Sequence, residues 1–253
     1  MIFHLAAREL RSLFLSPLAW SIIGVVQIVL SLLFLFTLQD FLMTQQARLH
    51  MYAMPLGVTD FVVVPLYSSA SIVLMLVVPL ITMRVISDER RNRSLTLLFS
   101  APLSMTEIVV GKYLGILAFL IIMTLIYSLM PLSLLFAGSI DFGLFFSLLL
   151  GAILMVAAFT AIGVFMSSLT AQPTIAAIST FGALLLLWII NMAGNSPGGE
   201  GSFNILSYLS MLTHYESFSR GLVNSTDVMY FVLVIFTFIV LSIRRLDGDR
   251  LQR

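Results

Sequence analysis

The sequence predicts an all-α integral membrane protein with six transmembrane helices, preceded by an interfacial amphipathic helix and carrying a further short cytoplasmic helix between spans two and three. Three observations carry this. The first is composition: 60% of the 253 residues are hydrophobic and 10% are charged, with a mean hydropathy of +1.08. A soluble domain is roughly 45–50% apolar and about 25% charged, so a water-soluble globule could not cover this much apolar surface. The second is the spacing of the charges, which leaves long uncharged stretches after Arg11, Asp60, Lys112, Asp141 and Asp227. The third is the one-sided distribution of Lys and Arg. Together they exclude an ordinary soluble enzyme and a disordered chain. A formal net charge of +1 gives no general attraction to polyanions, so no nucleic-acid partner is expected. The absence of cysteine removes disulfides, thiolate metal sites and thiol catalysis.

The elements follow in order. Over residues 2–14, Ile2, Phe3, Ala6, Ala7, Leu10, Leu13 and Phe14 fall on one arc of a helical wheel, and His4, Arg8, Arg11 and Ser12 on the other. That is an interfacial helix on the cytoplasmic leaflet, assigned to residues 1–16. A helix needs about 20 apolar residues to cross a hydrocarbon core of about 30 Å, and closed backbone hydrogen bonding favours helices there. The spans are predicted at Pro17–Leu38, Leu66–Met83, Ile108–Leu132, Gly143–Met166, Thr174–Met192 and Val228–Ile243. The polar stretch from Ser167 to Pro173 divides the fourth from the fifth, and the sixth is short enough to need a start near Asn224 and snorkelling by Arg244 and Arg245. Residues 1–253 are read as a single transmembrane domain, with the six spans over 17–243 and a cytoplasmic tail over 244–253. The first apolar run is too long for a signal-peptide core and ends without a cleavage site, so it is read as an uncleaved span.

Orientation follows from the basic residues. Arg8, Arg11, Arg84, Arg90, Arg91, Arg93, Lys112, Arg244, Arg245, Arg250 and Arg253 share one side, and only Arg48 and Arg220 fall on the other. The positive-inside rule therefore places both termini in the cytoplasm.

Catalytic constellations are hard to assemble. The only Lys, Lys112, sits in Gly111-Lys112-Tyr113, which lacks the first Gly and the Ser/Thr of a P-loop. His4, His50 and His214 are isolated in sequence and lack metal-ligand spacing, so each is read as solvated or facing an interface. No G-x-S-x-G motif occurs. With Lys112 placed in or beside the second-to-third loop, the spans hold no ionisable residue, which argues against a proton-driven transporter. Gly111-x-x-x-Gly115 has the spacing that lets helix backbones approach.

The loop after the second span is the most informative segment. Asp88, Glu89, Arg90, Arg91 and Arg93 are followed by Ser94, Leu95, Leu97, Leu98 and Phe99, then Pro102 and a fresh capping box, Ser104-x-x-Glu107. This reads as a short amphipathic helix braced between two spans, able to insert into another protein.

Here the chain resembles the permease subunits of ABC-2 type ATP-binding-cassette transporters. The residues that carry the resemblance are Glu89-Arg90-Arg91 with Leu95, Leu97 and Leu98, then Pro102-Leu103-Ser104, Glu107-Ile108-Val109 and Gly111-Lys112-Tyr113. Arg93, Ser94 and Thr96 depart from the family's Gly, Thr and Glu. The stretches Arg8–Ala19 and His214–Gly221, with Asp227, are similar to the gliding-motility and nitrous-oxide-maturation permeases.

The resemblance implies a subunit without catalysis or cofactor of its own, with ATP and Mg bound by a separate ABC ATPase. It implies a coupling helix at about Asp88–Phe99 seated on that ATPase, and an N-terminal helix flanking the contact through Arg8, Glu9 and Arg11. It also implies re-entrant helices within Phe203–Val223 on the external side, a second permease copy or a related permease, and location in a bacterial inner membrane. An accessory membrane or periplasmic protein is compatible. An ion-coupled secondary transporter and a membrane scaffold without ATPase remain the alternative readings.

Overall fold

The computed structural model describes residues 1–50, 57–92, 104–136, 140–194 and 208–251. Among them are nine α-helices, one π-helical turn and one 3-10 turn, with no strand. Six helices are long and apolar enough to cross a membrane, as the charge gaps predict.

Helix α1 spans Ile2–Leu15 and α2 spans Pro17–His50, separated by the single extended residue Ser16. Pro17 fits the first helical turn, where its missing N–H costs nothing. The elbow is stitched by Trp20, whose indole N–H donates to the Phe14 carbonyl at 2.8 Å, and by the Phe14 ring, edge-on to Trp20 and Phe119. At 34 residues, α2 is roughly 50 Å long at about 1.5 Å per residue, and overshoots the predicted end at Leu38. Asp40 marks where the uncharged stretch ends, not where the helix stops. The extension is anchored by Phe41, buried against Phe61 with ring centroids 5.9 Å apart.

A π-turn, Thr59–Val63, leads into α3, Val64–Thr82. The chain then bends through residues 83–86 into the short α4, Ser87–Arg91. Helix α5, Met105–Leu132, opens on the predicted capping box: Glu107 N–H donates to Ser104 Oγ at 3.2 Å and Ser104 N–H to Glu107 Oε2 at 3.0 Å. It therefore starts before the predicted Ile108. Helix α6, Phe142–Leu169, is capped by Asp141, which accepts from Gly143 and Leu144 N–H. Helices α7, Pro173–Gly194, α8, Met211–Ser219, and α9, Ser225–Leu251, complete the chain. Helix α9 continues through the predicted tail, so Arg244, Arg245 and Asp249 are helical residues.

The spans of α3, α5 and α6 are mostly buried, while few residues in those of α2, α7 and α9 are. Helix α6 lies at the centre because its small residues admit neighbours. A Cβ on Gly151 would sit 2.8 Å from Phe218 of α8, and one on Gly163 would sit 2.7 Å from Thr82 Cβ of α3. Lipid tails are as apolar as leucine, so helices in a bilayer associate through such close packing rather than hydrophobic exclusion.

The Gly111/Gly115 pair has a partner of the same kind. A Cβ on Gly111 would meet Leu5 at 2.8 Å, and one on Gly115 would meet Glu9 Cβ at 2.7 Å and the Ala6 carbonyl at 2.9 Å. Helix α1 therefore packs along α5. Its half-buried residues include most of the predicted apolar arc, Ile2, Ala6, Leu10, Leu13 and Phe14, and add Leu5 and Glu9, while Phe3 is 82% exposed. The packed arc takes in Glu9 because Lys112 of α5 partners its carboxylate.

Candidate functional site

Of the predicted coupling residues, the described ones, Asp88, Glu89, Arg90 and Arg91, lie with Arg8, Glu9 and Arg11 of α1 at one end of the bundle. Helix α4 is too short to be stable alone, since isolated helices need about 12–15 residues, and it is held from several sides.

The first hold is Lys112. It lies in the second turn of α5 and is 2% exposed, not a residue of the loop. Its Nζ donates to Glu9 Oε1 of α1 at 3.0 Å, to Glu89 Oε1 of α4 at 2.7 Å and to the Val85 carbonyl at 3.0 Å. All three donors of the ammonium are thus used, which a buried Lys requires. The two carboxylates keep partial access to water, with side chains 22% and 24% exposed. One cation therefore ties α1, α5, α4 and the bend before α4 into a single unit.

The second hold is Ser167, from the last turn of α6. The bend at residues 83–86 leaves the N–H groups of Ile86 and Ser87 without partners in α3. Ser167 Oγ accepts both, at 3.1 and 3.2 Å, and donates to the Met83 carbonyl at 3.0 Å. Ile86, the N-cap residue of α4, makes no side-chain cap, so a hydroxyl from another span takes that role. Ser167 and Ser87 are fully buried.

The third hold is Arg90, which pairs with Asp249 near the end of α9; Asp249 also meets Arg245 at 3.8 Å. Beside these contacts an open cleft of about 900 Å³ runs between Arg84, Asp88, Arg90 and Arg91 on one wall and residues 171–174, the turn between α6 and α7, on the other. A second recess, between α1, α3, α4 and α5, is lined by Arg8, Glu9, Arg84, Asp88 and Glu89.

Of the coupling residues expected from sequence, Asp88 is half-buried and borders both clefts. Glu89 and Arg90 are engaged within the chain, and Arg91 is exposed. Arg93, Ser94, Leu95, Leu97, Leu98 and Phe99 lie outside the described residues. On α1, Glu9 turns inward to Lys112, Arg8 is exposed beside Glu9 at 3.5 Å, and Arg11 is exposed. Sequence reasoning missed Ser167, taken as part of a separator between spans, and Asp249, taken as tail. It also missed the role of Lys112, although a lone Lys within an apolar stretch was a usable signal.

One histidine expectation is overturned. His4 is exposed, but His214 is buried, with Nδ1 2.6 Å from Asp227 Oδ1. The two are neighbours across the turn between α8 and α9, which a search for metal-ligand spacing does not detect. Among the described residues, no group of three or more His, Asp or Glu could hold a metal ion.

The family model described as "ABC-2 family transporter protein" matches residues 3–250 of the chain. None of the curated proteins matches it.

Proposed function

The chain belongs to the ABC-2 transporter family, and on that premise we propose that it is the membrane permease subunit of an ATP-driven complex whose ATPase is a separate polypeptide. The observation that carries the proposal is the bracing of α4. Lys112 links it to α1 and α5, Ser167 to α6 and Asp249 to α9. A force applied to α4 from the cytoplasmic side is thus delivered to three spans and the N-terminal helix together. Packed interiors transmit such displacements with little loss.

In this reading α4 opens the coupling segment, and Arg93–Phe99 seat it in a groove of the ATPase. Arg91, Asp88 and the adjoining cleft provide the polar part of the contact. ATP and Mg belong to the partner, and closure of two ATPase subunits would push on the α4 segments of two permease copies. Both termini lie in the cytoplasm of a bacterial inner membrane, as the asymmetry of Arg and Lys supports. The exposed Phe3 flank of α1 rests in the leaflet, with Arg8 and Arg11 toward its headgroups. Re-entrance of α8 is supported by its depth. Phe218 covers Gly151, nine residues into α6 from Phe142, or roughly 13 Å below that helix's end. The stretches Arg8–Ala19 and His214–Gly221 favour the gliding-motility and nitrous-oxide-maturation branch. The output is export or transmission of force to an accessory protein.

The test is purification of the native complex followed by charge reversal at an exposed coupling residue. A Walker-motif ATPase should co-purify, and Arg91→Glu should weaken its retention while leaving the permease in the membrane. Full activity of the isolated permease in pure liposomes would overturn the proposal.

A further inference from the structure

We propose that the recess between the α1–α2 elbow and the α3–α4 bend binds the headgroup of one phospholipid that carries a phosphate and a primary ammonium, a phosphoethanolamine, with the phosphate at Arg84 and Arg8 and the ammonium at Asp88. The inference is independent of the ATPase reading.

The recess lies at the level of the headgroups. Helix α2, the first apolar span, begins at Pro17, immediately after Ser16 of the elbow, and Arg84 follows closely on the end of α3 at Thr82. Basic residues that flank an apolar span sit at the membrane interface, where their stems lie along apolar surface and their charges reach the headgroups. The recess encloses about 500 Å³, inside the range of roughly 300–1,000 Å³ found for small-molecule sites. Leu13, Ile81 and Ile116 supply apolar surface for the glycerol and first acyl carbons, and Ser12 and Ser16 supply hydroxyls.

The charges select the headgroup. Arg8, Arg84 and Lys112 line the recess together with Glu9, Asp88 and Glu89. Lys112 is engaged by Glu9 and Glu89, and Arg8 lies 3.5 Å from Glu9. Arg84 and Asp88 are left. The Asp88 N–H donates to the Arg84 carbonyl at 3.4 Å, so the two residues stand one turn apart, and neither side chain makes an ion pair or hydrogen bond among the described residues. Opposite charges at this spacing on a helix ordinarily approach each other. Here they do not, and both border the recess. A ligand bearing both charges satisfies both side chains.

The three cations and three anions cancel. A zwitterion preserves that balance, whereas an anionic headgroup adds a negative charge without a partner, which is costly away from bulk water. Phosphocholine is also a zwitterion, but its quaternary ammonium has no N–H to give Asp88, where a primary ammonium has three. Bound there, the headgroup joins the elbow to the bend and adds a second link between α1 and α4 to the one made by Lys112.

Native mass spectrometry of the full-length permease, released from nanodiscs of equal parts dioleoyl phosphatidylethanolamine, phosphatidylcholine and phosphatidylglycerol, tests this. One phosphatidylethanolamine should be retained in about tenfold preference to phosphatidylcholine, the worth of one charge-assisted hydrogen bond. Asp88→Asn should erase that preference, and Arg84→Gln should lower retention of phosphatidylethanolamine about tenfold, since it removes the phosphate's partner. Neither variant removes an internal side-chain contact, and unchanged hydrogen-exchange protection of α6 verifies the fold. In the wild type, protection of 84–92 should be higher in phosphatidylethanolamine than in phosphatidylcholine nanodiscs, and Asp88→Asn should abolish the difference, which separates the site from a bulk effect of the bilayer. Equal retention of the two zwitterionic lipids, stronger retention of phosphatidylglycerol, or a preference that survives Asp88→Asn would overturn the proposal. Because the permease is tested alone, such a failure leaves the ATPase reading untouched.

Discussion

Replacing Lys112 with Met keeps most of the side-chain volume and removes the charge with its three hydrogen-bond donors. The ammonium makes three hydrogen bonds, two of them to carboxylates. Removing one partner of a buried ion pair costs about 3–5 kcal/mol. Glu9 and Glu89 keep roughly a quarter of their surface exposed and can turn toward water, so the lower end, about 3 kcal/mol, is expected. At about 1.4 kcal/mol per factor of ten, local opening of α1 and α4 should become roughly a hundredfold more frequent. Hydrogen-exchange mass spectrometry in nanodiscs reads this directly, as a loss of protection in residues 2–15 and 84–92 while α6 is unaffected. The packing of Leu5 and Ala6 on Gly111 and Gly115 keeps α1 associated, so the effect is local. Protection within about threefold of wild type in both segments would refute the claim that Lys112 holds the junction. A cycle with Glu89→Gln should show coupling, because the two changes break one shared contact.

Two further predictions concern the same end of the molecule. Gly115→Val would place carbon atoms on Glu9 Cβ and the Ala6 carbonyl; overpacking of this kind costs about 1–3 kcal/mol, and α1 should become more protease-sensitive. Ser167→Ala strands the buried N–H groups of Ile86 and Ser87, at about 2 kcal/mol. It should raise exchange at 84–92 without affecting 2–15 as strongly, which separates its role from that of Lys112.

The spans were legible because charges are excluded from hydrocarbon, and the capping box at Ser104 because it is local chemistry. Helix ends were less so: Asp40 stops an apolar run but does not stop α2. The junction was legible in parts. Glu9, Glu89 and the Gly111-Lys112-Tyr113 triplet all stood out, but their meeting depends on α1 folding back onto α5. Contacts between residues about a hundred positions apart have no signature in one sequence. Ser167 was invisible for a different reason. A hydroxyl near a helix end ordinarily serves its own turn, and only the bend between α3 and α4 gives it work elsewhere. His214 and Asp227 stood together only within a resemblance, because a hydrogen-bonded pair across a turn has no spacing signature of its own.

The elbow at Ser16 has a geometric consequence. Helix α1 is pinned to α5, and Trp20 stiffens the corner, so α2 cannot move independently of its short neighbour. A tilt of about 5° at the corner would sweep the far tip of a helix roughly 50 Å long through about 4 Å. A small rotation at the elbow would thus be amplified into a side-chain-sized swing at the far tip of α2.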